Sequence, residues 1–185
     1  GTTTGLARLS ESTTSSYTVE VKENILVNSG RLQFPNNNGI PQHLVVDGNI
    51  VINSGAILDV NGNTRTPANT LTVSGNITNN GTLDLKPAAN PYCNLIFLGE
   101  DNKEINGTTA IRTRLNAITI NKGTSRNSVL DVKVNNANFS LNTLFPNALT
   151  LTNGTFRLTT NTTIDLTTGA FTIPTTGCLS ANGGT

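Results

Sequence analysis

Four aspartates, Asp59, Asp84, Asp131 and Asp165, each lie between two aliphatic residues. On a strand, that alternation turns the carboxylates away from the core. Asp59 and Asp84 also fall at the same place in two similar stretches, "LVVDGNIVINSGAILDV" (44–60) and "LTVSGNITNNGTLDL" (71–85). Two carboxylates stacked one strand apart repel unless a cation or a base intervenes. Such a pair could hold a metal ion or do acid–base work on a polysaccharide, and the second use calls for Arg, Lys or His beside it. Along the sequence nothing basic recurs with these positions, and the preceding copy has Gln33 instead. The aspartates are therefore expected to be solvated surface groups, with a cation site or catalysis at the Asp59/Asp84 pair as the alternatives.

Other chemistry has less support. His43 is the only histidine, too few for a multi-histidine metal centre. No nucleophile-elbow or phosphate-loop spacing accompanies the Ser and Gly residues of "GTSRNS". Cys93 and Cys178 stand too far apart for a zinc or redox motif and read as two small buried hydrophobes, or as one disulfide in an oxidising compartment. Thr-x-Thr runs at 70–72 and 150–152 suggest an ice-binding ladder, but the matching places in the first copies hold Glu20 and Val45. Asn76, Asn80, Asn106, Asn138, Asn153 and Asn161 head Asn-x-Ser/Thr triplets and are expected to be turn and ladder residues. No cofactor or metal is expected.

The elements that carry these residues follow from composition and period. Thr and Asn make up about a third of the 185 residues, while charged residues are only 12%. Thr, Asn and Gly are strand and turn formers, so the composition favours an all-β chain with no substantial helix. The net charge of +1 is spread without a basic stripe, which argues against nucleic acid, and no apolar run is long enough for membrane insertion. Val19, Val21, Ile25 and Asn28-Ser29-Gly30 align with Leu44, Val46, Ile50 and Asn53-Ser54-Gly55, then with Leu71, Val73, Ile77 and Asn79-Asn80-Gly81. Looser copies occur at 94–107, 115–134 and 149–173. A fixed period with like residues at like places predicts one domain over 1–185, a single-stranded parallel β-helix of about 25 residues per turn. Ile25, Ile50 and Ile77 should form an interior ladder.

Insertions recur at one place of three successive copies, after Phe34, Val60 and Leu85. They gather His43, Arg65, Lys86 and Tyr92 on one expected loop face, which is the candidate ligand-binding site. Glycans suit such a polar surface.

The runs "NLIFLGEDNKEING", "LNAITINKG" and "ALTLTNGTFRL" resemble the Thr/Asn-rich β-helix segments of large secreted and cell-surface, adhesin-like proteins of Bacteroidetes. The resemblance covers about residues 44–175. It implies a parallel β-helix that is a fragment of a larger exported protein, secreted or at the cell surface, with a non-enzymatic structural or adhesive role. Its expected partners are glycans, another surface component and further domains of its parent chain. A carbohydrate-binding or carbohydrate-active module is the second reading and an ice-binding solenoid the third.

Overall fold

A computed structural model of the chain describes residues 5–9, 14–35, 40–61, 68–87, 93–107, 112–134, 136–142, 147–159, 164, 166 and 171–183. Eighteen short strands wind into a parallel β-solenoid of about five turns, about 26 residues each. The first face stacks β1 (Leu6–Arg8), β4 (Arg31–Phe34), β7 (Ile57–Val60), β10 (Thr82–Asp84), β13 (Arg112–Leu115) and β16 (Phe139–Leu141). The second stacks β2 (Thr18–Val21), β5 (His43–Val46), β8 (Asn69–Val73), β11 (Cys93–Phe97), β14 (Ala117–Asn121) and the first half of β17 (Leu149–Leu158). The third stacks β3 (Ile25–Val27), β6 (Ile50–Ile52), β9 (Ile77–Asn79), β12 (Lys103–Asn106), β15 (Val129–Val132), the rest of β17, and β18 (Gly177–Ala181). Every strand pair is parallel among the described residues, so these segments coil and do not fold back on one another as antiparallel hairpins. The only helical element among them is one 3-10 turn, Asn136–Asn138.

Like stacks on like, as the repeat requires. Val19, Leu44, Leu71, Leu95 and Ile118 form one interior row of the second face. Ile25, Ile50, Ile77, Ile105 and Val132 form the expected ladder on the third. From Leu44 and Ile25 onward both rows belong to one continuous core that also takes in Phe34, Phe97 and Phe156.

One equivalence differs from the sequence alignment. Asn79 sits in register with Ile52, not with Asn53. The copy at 71–85 has a turn two residues shorter, so its first Asn is drawn into a core row. Asn79 is fully buried there, and its amide donates to the Arg112 carbonyl at 2.7 Å and to Thr113 Oγ1 at 2.8 Å. Its Oδ1 accepts from the Gly81 N–H. A buried amide persists because its donors and acceptor are matched.

The recurring Gly-Asn-Ile triplet has a physical explanation. The Asn of each turn receives the backbone of the next: Asn24 Oδ1 accepts from Asn49 N–H at 2.7 Å, Asn49 Oδ1 from Asn76 N–H at 2.8 Å, and Asn76 Oδ1 from Glu104 N–H at 2.9 Å. The Ile enters the ladder. The Gly is required by close approach of backbones: a Cβ on Gly75 would stand 2.2 Å from the Gly48 carbonyl oxygen, and one on Gly48 2.5 Å from that of Glu23. Gly75→Ala is therefore expected to cost about 1–3 kcal/mol, the range for forced overpacking. Gly5→Ala, where a Cβ meets open space, should stay within about 0.5 kcal/mol of wild type. Urea unfolding of both variants checks the contrast.

Candidate functional site

The aspartates depart from expectation. Asp59, Asp84 and Asp131 do point away from the core, but they are only 8%, 4% and 5% exposed and are not solvated surface groups. Basic partners do accompany them, contrary to the linear reading. They come from the next or preceding turn, where stacking brings residues 26 to 30 positions apart into contact.

On the first face the outward row runs Arg8, Gln33, Asp59, Asp84, Arg114 and Ser140 in successive turns. Arg8 Nε donates to Gln33 Oε1 at 3.3 Å, and Gln33 Nε2 to Asp59 Oδ1 at 3.0 Å. Arg31 Nε lies 3.4 Å from Asp59 Oδ2. Asp84 is held on both oxygens: Arg114 Nε and Nη2 donate at 2.8 and 2.7 Å, and Arg112 Nη1 at 3.1 Å. The backbone N–H of Lys86 donates to the same carboxylate at 3.2 Å. Asp59 and Asp84 are direct register partners, so the like-charge stacking expected from the repeat is real. Burial raises the Asp59 carboxyl above its ordinary pKa and the Asp84 charge adds to this, against the Gln33 hydrogen bond and the Arg31 charge.

The third face repeats the arrangement. Glu104, Asp131 and Arg157 share an outward row, and Arg157 Nη2 donates to Asp131 Oδ2 at 2.8 Å. Thr159 Oγ1 donates to Asp131 Oδ1, and Lys133 pairs with Glu104. Despite burial, these hydrogen bonds leave Asp131 below its ordinary pKa, and Lys133 does the same for Glu104. A groove of about 240 Å³ opens here; in its lining Glu104 pairs with Lys133 and Asp131 with Arg157, whose Nε is buried without a hydrogen-bond partner among the described residues. Asp165 lies outside the described residues.

The predicted loop site is seen only in part. His43 opens β5, half-buried, with Nδ1 2.6 Å from Thr70 Oγ1 of the next turn. Lys86 follows β10, and its Nζ donates to Asn142 Oδ1. Asn142 donates to Asn116 at 2.9 Å and Asn116 to Asn94 at 2.8 Å, a side-chain ladder down one corner. His43 and Lys86 thus engage different partners; Arg65 and Tyr92 lie outside the described residues. Both cysteines are free, Cys93 buried and Cys178 half-buried. The Thr-x-Thr runs lie on the second face, where the outward row reads Glu20, Val45, Thr72, Ile96, Thr119 and Thr150, an interrupted ladder. Asn24 and Asn102, which cap backbone N–H groups of the next turn, and the arginines of the acidic rows were missed from sequence. The signal for the arginines was there: Arg157 follows Asp131 by 26 residues, one repeat length. Among the described residues no group of three His, Cys, Asp or Glu side chains is placed to hold a metal ion. No family model matches the chain, and no curated protein or solved structure matches it.

Proposed function

We propose that this solenoid is a non-enzymatic structural or adhesive segment of a secreted or cell-surface protein. The observation that supports this reading most is the use made of the outward charges. Asp84 is enclosed by two arginines and a backbone N–H, and Asp131 by Arg157 and Thr159, so these carboxylates tie turn to turn. A general acid or nucleophile must be able to reach substrate; a brace must be saturated. The Asn ladders at the corners serve the same end, and together they suit a coil that holds length and presents loops.

One observation favours a second reading, a carbohydrate-active module. Asp59 and Asp84 are adjacent acids in contrasted surroundings, one with raised proton affinity and one between guanidiniums, and such contrast is how acid and base roles are divided. Incubation with polygalacturonate or alginate separates the two. The expected result is no release of reducing ends by wild type, Asp59→Asn or Asp84→Asn. Release by wild type that disappears in either variant would replace the first reading by the second.

A further inference from the structure

The outer row of the first face changes sign along the coil. Its acids end at Asp84, and beyond it positive charge is in excess. Arg112 and Arg114 both bind that single carboxylate, while Asp59 has Arg31 and the Lys86 ammonium is turned to Asn142. Two guanidiniums against one carboxylate, with the Lys86 ammonium close to Arg114, leave positive charge in excess. Burial lowers the Lys86 pKa, and the nearby Arg114 charge lowers it further. Beside Arg112 and Arg114 opens a groove of about 310 Å³, completed by Ala137, Asn138, Phe139 and Ser140, with no acid among the described residues of its lining.

We propose that this groove binds one acidic sugar unit of a polysaccharide through its carboxylate or sulfate group. Guanidinium forks match the planar oxygen pairs of such groups and keep their charge at any physiological pH. Arg114 commits two nitrogens to Asp84, whereas Arg112 contributes only Nη1 to it and is half exposed at the groove. Ser140, one strand beyond Arg114 in the same row, is exposed, and Asn138 also lines the groove; a hydroxyl and an amide suit sugar hydroxyls. The volume sits at the small end of the ~300–1,000 Å³ typical of ligand pockets, enough for a single unit and not for a long track. Nucleic acid fits less well, because 12 basic residues are balanced by 11 acidic ones over the whole chain and the excess here is local.

The inference rests on the adhesive reading for its setting. The two fail separately, because polymer cleavage tests that reading and polymer retention tests this one. Affinity electrophoresis of the full chain through gels containing polygalacturonate, dextran sulfate, neutral dextran or a single-stranded oligonucleotide is the experiment. Wild type should be retarded by polygalacturonate or dextran sulfate, less so as salt rises, and not by dextran. Retardation by the first alone identifies a uronate site, by the second alone a sulfate site, and by both a site for either anion. Arg112→Gln, which leaves Asp84 its bidentate Arg114, should weaken binding about tenfold, the loss of roughly one charge-assisted hydrogen bond. Ser140→Asp, which sets a carboxylate in the groove and removes no partner of Asp84, should abolish it with the circular dichroism unchanged. If Ser140→Asp does not fold, Arg112→Gln decides. No retardation by either acidic polymer, retardation by the oligonucleotide alone, or full retention in Arg112→Gln overturns the proposal.

Discussion

Ile77→Ala is expected to destabilise the coil by about 2–5 kcal/mol, the range for truncating a large aliphatic residue in a core that cannot collapse around the cavity. Ile25→Ala should cost clearly less. The two residues occupy the same place in the repeat but not the same surroundings. Ile77 is fully buried between Ile50 and Ile105, with a stacked turn on either side. Among the described residues Ile25 is paired with Ile50 alone, and it is half-buried. In the same turn Val19 is 37% exposed although its row is buried from Leu44 onward. In a solenoid each turn is stabilised by its nearest neighbours, so an end turn has half the interface of a central one. Urea unfolding of the two variants against wild type makes the comparison. Equal losses would mean that the turn of Ile25 packs as tightly as the middle of the coil, against the burial of its side chains.

The same stacking decides how much could be read from the chain beforehand. Interior rows were legible because apolar residues announce themselves by alternation and then recur one turn later: Val19 with Leu44 and Leu71, Ile25 with Ile50 and Ile77. Direction of the side chain was legible too, since Asp59, Asp84 and Asp131 between aliphatic neighbours do point outward. Their burial was not, because it depends on which side chains from the next turn lie across them. Asp84 meets Arg112 and Arg114 only because the segment between them is longer than a standard repeat, a separation of 28 and 30 residues. Irregular turn length also explains the misplaced Asn79: two residues fewer in one corner moved it from a turn into a core row. The candidate loop face suffered from the opposite problem. Recurrence of insertions marked where loops emerge, and His43 and Lys86 do flank them, but insertions follow no period that fixes what their side chains touch. The groove at Arg112 and Ser140 went unnoticed because its residues belong to two different turns and to no shared motif.

A rise in stability with pH, carried by one lysine, is the other large effect expected. In "TINKG" nothing distinguishes Lys122 from a surface lysine, yet it is fully buried at the corner after β14. Its Nζ donates to the carbonyls of Leu98 at 3.1 Å and Gly99 at 3.4 Å, capping groups of the preceding turn. These carbonyls are partial charges and do not replace the water an ammonium loses on burial. Burial therefore lowers the Lys122 pKa from its ordinary 10.5 to about 8, the Lys103 charge adding to this and Asp101 partly offsetting it. Between those two values the unfolded chain binds more protons at this site than the folded one, so stability rises with pH there. The contribution is complete above the unfolded value and is lost as pH falls through the folded one. Lys86 is lowered in the same sense, whereas the buried Cys93 thiol and the paired Lys22 and Lys133 are raised and act in the opposite sense. All of these remain in Lys122→Met, so the difference between that variant and wild type isolates the lysine. From about pH 7 to about pH 10.5 the wild type should gain roughly 3 kcal/mol relative to the variant. Near neutral pH the methionine protein escapes the cost of the buried charge but leaves the Leu98 and Gly99 carbonyls without the ammonium, so the change with pH is the diagnostic quantity. Denaturant unfolding of both proteins across that range provides it. Curves that stay parallel would show that Lys122 keeps its ordinary proton affinity, and hence that water reaches it in the folded coil.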